Sequence, residues 1–248
     1  MCFWDDAFLL GPPAWFDEFF QRYPDEVHLP FGLTARADQI NEALLSRLKA
    51  SGCQSIRIGI ESANPHLREQ VLRKGITQEQ IEKAVRSIKM HGILLQTFHI
   101  IGIPGETLET ALETYEMARH LHPDHAWCSL MQPYPGTEIA EIARQQHLLP
   151  ADFGERDWDN SYFNSLPLDL PHKDRMIALQ RLFQMGNVLR IPTRIMQRLI
   201  ALPLHRIFDW IFKVYYGLGF RKMNNLSLAN FLRSAYYSRD YFRMQAKK

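Results

Sequence analysis

The stretch that decides the fold is Phe98-His99-Ile100-Ile101-Gly102-Ile103-Pro104-Gly105-Glu106-Thr107. Residues 94–100 form a β-branched and aromatic run that is typical of a buried strand. Gly102 and Gly105 then allow the backbone to turn tightly and to approach a ligand closely. A helical period follows over residues 106–121. The stretch therefore predicts a strand, a glycine loop and a helix N-terminus, whose free backbone N–H groups can meet a polar ligand.

The same strand-then-helix unit recurs on both sides of this stretch. Strands are predicted at 1–4, 29–34 and 54–60 before it and at 125–131 after it, and each leads into a helical pattern. Five such units predict a parallel sheet or part of an α/β barrel. Parallel strands place ligand sites at their carboxyl ends. The polar residues gathered at those ends are Asp5, Asp6, Arg36, Glu61, Ser62, Glu106 and Thr137.

Composition narrows the class of protein. The 248 residues are 46% hydrophobic and 23% charged, which is ordinary for a globular protein. No run of 18 uncharged apolar residues and no signal-peptide pattern occurs, so we expect a cytoplasmic protein. Cys2, Cys53 and Cys128 are odd in number and far apart, which excludes a disulfide framework and a Cys-x2-Cys metal site.

The charges divide the chain into two regions. Residues 1–150 carry 13 Lys/Arg against 19 Asp/Glu, whereas residues 151–248 carry 16 against 8. Such a split predicts two regions with different surroundings. We assign 1–150 to the strand–helix domain and 151–248 to a basic, aromatic-rich helical region.

Five motifs in the first region resemble those of radical S-adenosylmethionine (SAM) enzymes. They are the Asp5-Asp6 pair, Arg36, the run 59–64, the loop 102–107 and the turn 133–137, and both their order and their spacing agree. The subgroup resembled is the one that often carries an upstream cobalamin-binding domain. The resemblance covers roughly residues 1–150. It implies strands 2–6 of a six-stranded (β/α)6 barrel, a partial barrel, followed by an α-helical C-terminal region.

The resemblance assigns each motif a part of SAM. Asp5 and Asp6 lie where the amino group is bound, Arg36 where a carboxylate is approached, and Glu61 and Ser62 where the ribose hydroxyls are held. Two segments would flank the adenine: the loop Gly102, Ile103, Pro104, Gly105, Glu106 and the turn Pro133, Tyr134, Pro135, Gly136, Thr137. Each motif also has a simpler interpretation, since Asp5, Asp6 or Glu61 can merely cap a turn or helix, and the proline turn can be only a turn.

The chain departs from this family at the iron–sulfur cluster. Family members hold a [4Fe-4S] cluster with a Cys-x3-Cys-x2-Cys loop after the first barrel strand, and that loop does not occur here. The resemblance therefore implies a C-terminal portion of a longer enzyme, whose upstream segment supplies the cluster ligands and a cobalamin domain. We expect no metal ligands in this chain, and we expect the chain to be inactive without the upstream segment.

Three functions are compatible with these motifs. The first is a portion of a radical SAM enzyme that binds SAM and shapes a pocket for a small-molecule or lipid-like substrate, for radical chemistry or methyl transfer. The second is a non-catalytic remnant or binding module that keeps the barrel fold. A third is an unrelated α/β barrel enzyme that uses Glu61 and His99 as acid–base groups.

The second region has three interpretations. Residues 175–248 carry 14 Lys/Arg against Asp209 and Asp240 only, and the segment 206–215 is amphipathic. Such helices can lie on an anionic membrane, bind RNA, or pack on the barrel with a solvated basic face. We favour packing, with peripheral membrane contact ranked before nucleic acid. Packing predicts that Trp210 and Phe212 are buried.

Overall fold

The computed structural model describes residues 1–5, 8–150, 152–154, 161–233 and 236. The order alternates between strand and helix up to residue 145 and then continues with helices alone. The strands are β1 (Cys2–Phe3), β2 (Phe31–Ala35), β3 (Cys53–Glu61), β4 (Leu94–Ile101) and β5 (His125–Leu130). The α-helices are α1 (Pro13–Glu26), α2 (Glu42–Ala50), α3 (Gln78–Met90), α4 (Leu108–Leu121), α5 (Glu138–Gln145), α6 (Lys173–Val188), α7 (Thr193–Leu199) and α8 (His205–Met223).

The five strands form one parallel sheet in the order β1-β2-β3-β4-β5. Each strand pairs with the next one along the chain, and the intervening helix makes the crossover. In the wall of an α/β barrel, strands that follow one another along the chain are also neighbours in the sheet. The α/β fold with a partial-barrel sheet, predicted from the sequence, is confirmed.

The two faces of the sheet differ in character. One face, which we call the helix face, carries apolar side chains into the cores beneath the helices: Ile56, Ile58, Leu95, Ile101 and Cys128. The register pairs Ser55 with Leu94 and Phe98 with Trp127, so the alternate residues share the opposite, inner face. The inner face is largely polar and aromatic: Ser55, Arg57, Gly59, Gln96, Phe98, His125 and Trp127.

Helix α6 closes the outer edge of β5 with two glutamine side chains. The Ala126 N–H donates to Gln184 Oε1 at 2.7 Å, and Gln180 Nε2 donates to the Cys128 carbonyl at 2.8 Å. Further along the strand, the Leu130 N–H donates to the Tyr162 carbonyl at 2.7 Å. These bonds occupy backbone groups that an edge strand otherwise presents to solvent.

Helix α8 packs against the inner face. Its Tyr216 ring lies 4.8 Å from the Trp127 ring and 5.9 Å from the His125 ring, centroid to centroid. A Cβ atom at Gly219 would overlap the His125 ring, so only glycine permits this approach. Residues beyond 150 thus contact the sheet directly, and the division of the chain at residue 150 stays a prediction.

The orientation of α8 corrects one expectation. The helix packs on the sheet as favoured, and Phe212 is half-buried against the Phe163 ring. Trp210, however, is 64% exposed, so the prediction that both aromatic side chains are buried was wrong for Trp210. The buried residues of α8 are Phe208, Gly219 and Met223, and Trp210 projects from another side of the helix. In the part of the chain that is described, no helix is both long and apolar enough to cross a bilayer.

The glutamine bonds of α6 predict a stability cost. Replacing Gln184 with Leu keeps an apolar stem of similar size but leaves the buried Ala126 N–H without an acceptor. We expect Gln184→Leu to lower the free energy of unfolding by about 1–2 kcal/mol, measured by urea denaturation. The control is Gln145→Leu on the exposed surface of α5, which should change stability by less than about 0.5 kcal/mol. Equal effects of the two substitutions would contradict the role given to Gln184.

Candidate functional site

Glu61 ends β3 at the carboxyl edge of the sheet in an unusual backbone conformation. Its φ angle is +68°, and the β3–β4 register shifts between Gly59 and Glu61. The carboxylate lies over the inner face, where Oε1 is 2.5 Å from Lys74 Nζ. A Cβ atom at Gly59 would overlap both Glu61 Oε1 and Lys74 Nζ. The ion pair can occupy this position only because residue 59 is glycine.

A buried arginine fixes the loop that returns Lys74 to Glu61. Arg68 Nε donates to the Ile76 carbonyl at 2.8 Å, and Nη1 donates to the carbonyls of Ser62 and Ala63 at 2.9 and 3.1 Å. The Lys74 N–H in turn donates to the Arg68 carbonyl at 2.9 Å. Both ends of the loop are therefore held by one side chain. Sequence reasoning named neither Arg68 nor Lys74, because their partners become visible only in three dimensions.

Arg36 lies beside this ion pair, at the end of β2. Its Nε and Nη2 donate to the two carboxylate oxygens of Asp38 at 3.1 and 2.8 Å, and Nη2 also approaches the Lys74 carbonyl at 3.4 Å. The bonds to Asp38 raise the pKa of Arg36. The structure thus brings two of the predicted residues, Arg36 and Glu61, to one cluster at the carboxyl edge.

Ser62 is placed inside the protein. Its hydroxyl accepts a hydrogen bond from the Asn64 N–H at 3.2 Å and lies 3.4 Å from Thr114 Oγ1, and the residue is fully buried. Here the hydroxyl organises the turn after β3. Because it is buried, this hydroxyl is not placed to contact a ligand directly.

Glu106 also turns inward. Its Oε2 accepts the N–H groups of Gly102 and Ile103 at 2.5 and 3.3 Å, which folds the glycine loop around the carboxyl group. The Leu166 side chain lies against Gly102. Gly102, Ile103 and Pro104 are buried, while Gly105 remains exposed. Burial raises the pKa of Glu106 to about 8, although the two N–H donors act to lower it.

The turn after β5 lies next to the cluster of Arg36, Glu61 and Lys74. Pro133 is buried, Tyr134 and Pro135 are half-buried, and Gly136 adopts a φ of +81°. Thr137 begins α5, accepting the Ala140 N–H at 3.4 Å. An ion pair between Glu138 and Arg73 then joins this turn to the loop that carries Lys74. The predicted turn and Glu61 thus lie on the same side of the carboxyl edge of the sheet.

Asp5 stands apart from these residues. It is exposed beyond the end of β1, and β2 separates that strand from β3. It borders a shallow pocket of about 610 Å³. The pocket is lined mainly by aromatic and apolar side chains, among them Phe3, Trp4, Phe8 and Trp15. Asp6 lies outside the described residues.

His99 lies on the helix face and is fully buried. Its Nε2 is 2.9 Å from Thr97 Oγ1, and its ring is 5.1 Å from the Phe183 ring. Burial lowers the pKa of His99 to about 3. Glu61 lies on the inner face, so the sheet separates the two groups. The alternative in which Glu61 and His99 form an acid–base pair is therefore wrong.

The cysteines do not fit an iron–sulfur cluster. Cys2, Cys53 and Cys128 lie on three different strands, and burial raises the pKa of all three thiols. Cluster ligands are thiolates that converge on one site. Among the described residues, no three His, Cys, Asp or Glu side chains are grouped to hold a metal ion.

Known proteins are similar to most of this sheet. Residues 12–118 match the Radical SAM superfamily, and the predicted resemblance is confirmed. An uncharacterized methyltransferase of Pyrococcus horikoshii is 33% identical over 147 residues, which are 59% of this chain and 32% of the relative. An anaerobic magnesium-protoporphyrin IX monomethyl ester cyclase of Rubrivivax gelatinosus is 32% identical over 111 residues, which are 44% of this chain and 20% of that enzyme. The chain thus spans a third or less of either relative.

A solved structure has the same fold. Coproporphyrinogen III oxidase from Escherichia coli, a radical SAM enzyme, superimposes with a TM-score of 0.54 at 14% identity, covering 73% of this chain and 38% of the oxidase. At that identity the similarity shows the fold alone. It agrees with the partial barrel described above.

The buried Glu106 predicts a pH-dependent stability. Because its pKa rises from its ordinary value of 4.5 to about 8 on folding, the unfolded chain releases the proton first as pH increases. Stability should therefore fall between pH 5 and 8. Glu106→Gln keeps the acceptor for Gly102 and Ile103 but cannot ionise. We expect the variant to gain on the order of 3 kcal/mol relative to the wild type over that interval, measured by urea denaturation. Parallel pH profiles would show that Glu106 does not titrate on unfolding.

Proposed function

We propose that this chain, a relative of radical SAM enzymes, forms the SAM-binding and substrate-facing part of a radical SAM methyltransferase or a related enzyme. Both sequence relatives support an enzyme of this kind, since one is named a methyltransferase and the other a cyclase of a porphyrin ester. The chain covers only part of each, so the reaction and its substrate are taken from the resemblance.

The observation that carries the proposal is the position of Glu61. Its carboxylate lies at the carboxyl end of β3, where ligands of parallel α/β folds bind. The side chain is 16% exposed, and Lys74 and Gly59 hold it over the inner face. A fixed carboxylate is a strong acceptor for the two hydroxyls of a ribose. Arg36, close by, supplies a positive charge suited to a carboxylate.

Other predicted residues support the site through the backbone. Ser62 and Glu106 hold the turn after β3 and the loop after β4 in shape, because their polar atoms bond to neighbouring N–H groups. Gly105, Gly136 and Thr137 remain exposed along the same edge. We propose that this exposed backbone flanks the adenine of SAM. We also propose that Asp5 and Asp6 bind its amino group.

The residues present fit SAM but not its usual cluster. When bound, SAM would supply the methyl group or the radical chemistry that such enzymes use. This chain offers carboxylate and guanidinium groups for the nucleoside and the amino acid part, but no converging thiolates. Its share of the work is to bind, orient and shield. Cobalamin stays an expectation of the resemblance, to which no residue of this chain is assigned.

The binding function can be tested through Glu61. We expect the wild-type chain to bind SAM, and Glu61→Gln to weaken that affinity by about tenfold, because the acceptor for the ribose hydroxyls loses its negative charge. Ligand-observed NMR titration suits weak binding and needs no turnover. The matched control is Glu26→Gln, which removes an exposed carboxylate paired with Arg22 at the end of α1.

The outcomes separate the two functions in view. A tenfold loss in Glu61→Gln with no change in Glu26→Gln supports the SAM site. If the wild type does not bind SAM, the chain is better described as a barrel-shaped binding module for another ligand. If both variants bind SAM like the wild type, Glu61 serves only to end β3.

Peripheral membrane contact is a second candidate, favoured by the exposure of α8. Ile207, Trp210 and Leu218 recur at helical spacing and are 52%, 64% and 52% exposed. The opposite side of the helix is already packed on the sheet. Leu202 and Leu204, just before α8, are also exposed. An apolar stripe of this length on the surface is typical of an interaction site.

The charges around this stripe favour an anionic lipid surface. Arg194, Arg198, Arg206 and Lys213 are exposed on α7 and α8, and Asp209 is already paired with Arg181 at 2.6 Å. A second copy of the chain would bring like charges together, whereas anionic headgroups would neutralise them. We propose that the stripe rests in the headgroup region while the sheet stays above it.

Vesicle sedimentation tests the lipid contact. We expect the chain to pellet with vesicles of phosphatidylcholine and phosphatidylglycerol at low salt and to be released at high salt. The double variant Ile207→Ser/Trp210→Ser should lose about tenfold or more in partitioning, because it removes the apolar anchor. The control Trp15→Ser changes an exposed tryptophan on α1, far from the basic region in sequence. Binding that ignores salt, or that both variants retain, would rule out this contact.

A further inference from the structure

Arg57 is a buried cation on the inner face whose role is not explained by the site described above. It lies in the middle of β3 and is only 2% exposed. Nη2 donates to Asn224 Oδ1 at 3.2 Å. Nη1 is buried and has no hydrogen-bond partner among the described residues.

No described carboxylate pairs with this guanidinium. None of the ion pairs among the described residues includes Arg57, although Arg36, Arg47 and Arg68 each have one. The titratable groups whose pKa its charge lowers are thiols and an imidazole: Cys2, Cys53 and His125. The Trp4 ring covers the guanidinium, with its centroid 5.1 Å from Cζ. A buried cation without a counter-charge is strongly unfavourable, so this arrangement is suited to receive an anion.

A glycine leaves space for the guanidinium, and an exposed aromatic side chain covers it. A Cβ atom at Gly32 would overlap Arg57 Nη1 and Ser55 Oγ, so the guanidinium occupies space that only glycine leaves. Trp4 follows β1, is not part of the strand and is 68% exposed. Trp4 is therefore an exposed side chain that lies over a buried guanidinium.

We propose that Arg57 binds a single carboxylate of a small-molecule ligand through Nη1, beneath Trp4. A carboxylate carries one negative charge and accepts the planar N–H donors of arginine in their own plane. Only one positive charge is present here, and Nη2 is already bonded to Asn224. A phosphate dianion would need more donors than the inner face offers at this point.

This site is distinct from the cluster around Glu61. The two residues are four positions apart on the same strand, which corresponds to about 13 Å along β3. A carboxylate at Arg57 would therefore lie deeper on the inner face than a nucleoside at the carboxyl edge. The proposal does not depend on SAM binding, and its test uses no SAM.

The probe is acetate, compared with chloride at equal ionic strength. We expect about 100 mM acetate to raise the Tm of the wild type by about 3 °C, because a ligand that binds only the folded state stabilises it. Arg57→Met should show no acetate effect and should melt at a higher temperature than the wild type in chloride, because an unpaired buried charge is gone. A purely structural role predicts the reverse for stability and no response to acetate in either protein.

A second measurement keeps the test valid if Arg57→Met fails to fold. In wild-type protein with 15N-labelled arginine, the side-chain signals of Arg57 should shift saturably with acetate. Those of the exposed Arg86 should not. Arg86→Met is the matched variant for the thermal series and should retain the full acetate response. The proposal is overturned if acetate stabilises Arg57→Met as much as the wild type, or if the Arg57 signals do not move.

Discussion

A parallel sheet must be covered on both faces, and this requirement organises the whole molecule. The crossover helices cover one face with two apolar clusters. The other face carries Arg57, Gln96 and His125, which an ordinary apolar core would not accept. Helix α8 covers this polar face with a glycine and aromatic rings. The glycine allows the helix to approach the sheet closely, and Asn224 accepts a hydrogen bond from the guanidinium of Arg57. The polar inner face is the reason why a region this far along the chain returns to the sheet.

The carboxyl edge shows how a few fixed residues prepare a site. Gly59 gives space, Lys74 gives charge and Arg68 holds the connecting loop through backbone carbonyls. Glu61 adopts a left-handed backbone conformation, and its carboxylate is directed over the inner face. Strain of this kind is typical of functional positions and is compensated by the surrounding structure.

The sequence predicted the strands and their order, because these depend on local periodicity and on glycine and proline positions. It did not predict which way side chains face. Ser62 and Glu106 lie on the predicted loops, and their polar atoms point inward. Gln180, Gln184, Arg57 and Arg68 were missed, since the fold alone brings each of them to its hydrogen-bond partner in another strand, helix or loop. The prediction that Trp210 is buried was wrong because the aromatic residues of α8 lie on more than one side of the helix.

The glutamine clamp on β5 has a consequence for assembly. With Ala126 and Cys128 already bonded to side chains of α6, that border cannot template another strand. The opposite border differs, since β1 pairs only with β2 in the described part of the chain. Addition of β structure is thereby directed to one side. The sheet has a built-in direction of growth, and aggregation through β5 is blocked by the same two amides that complete the fold.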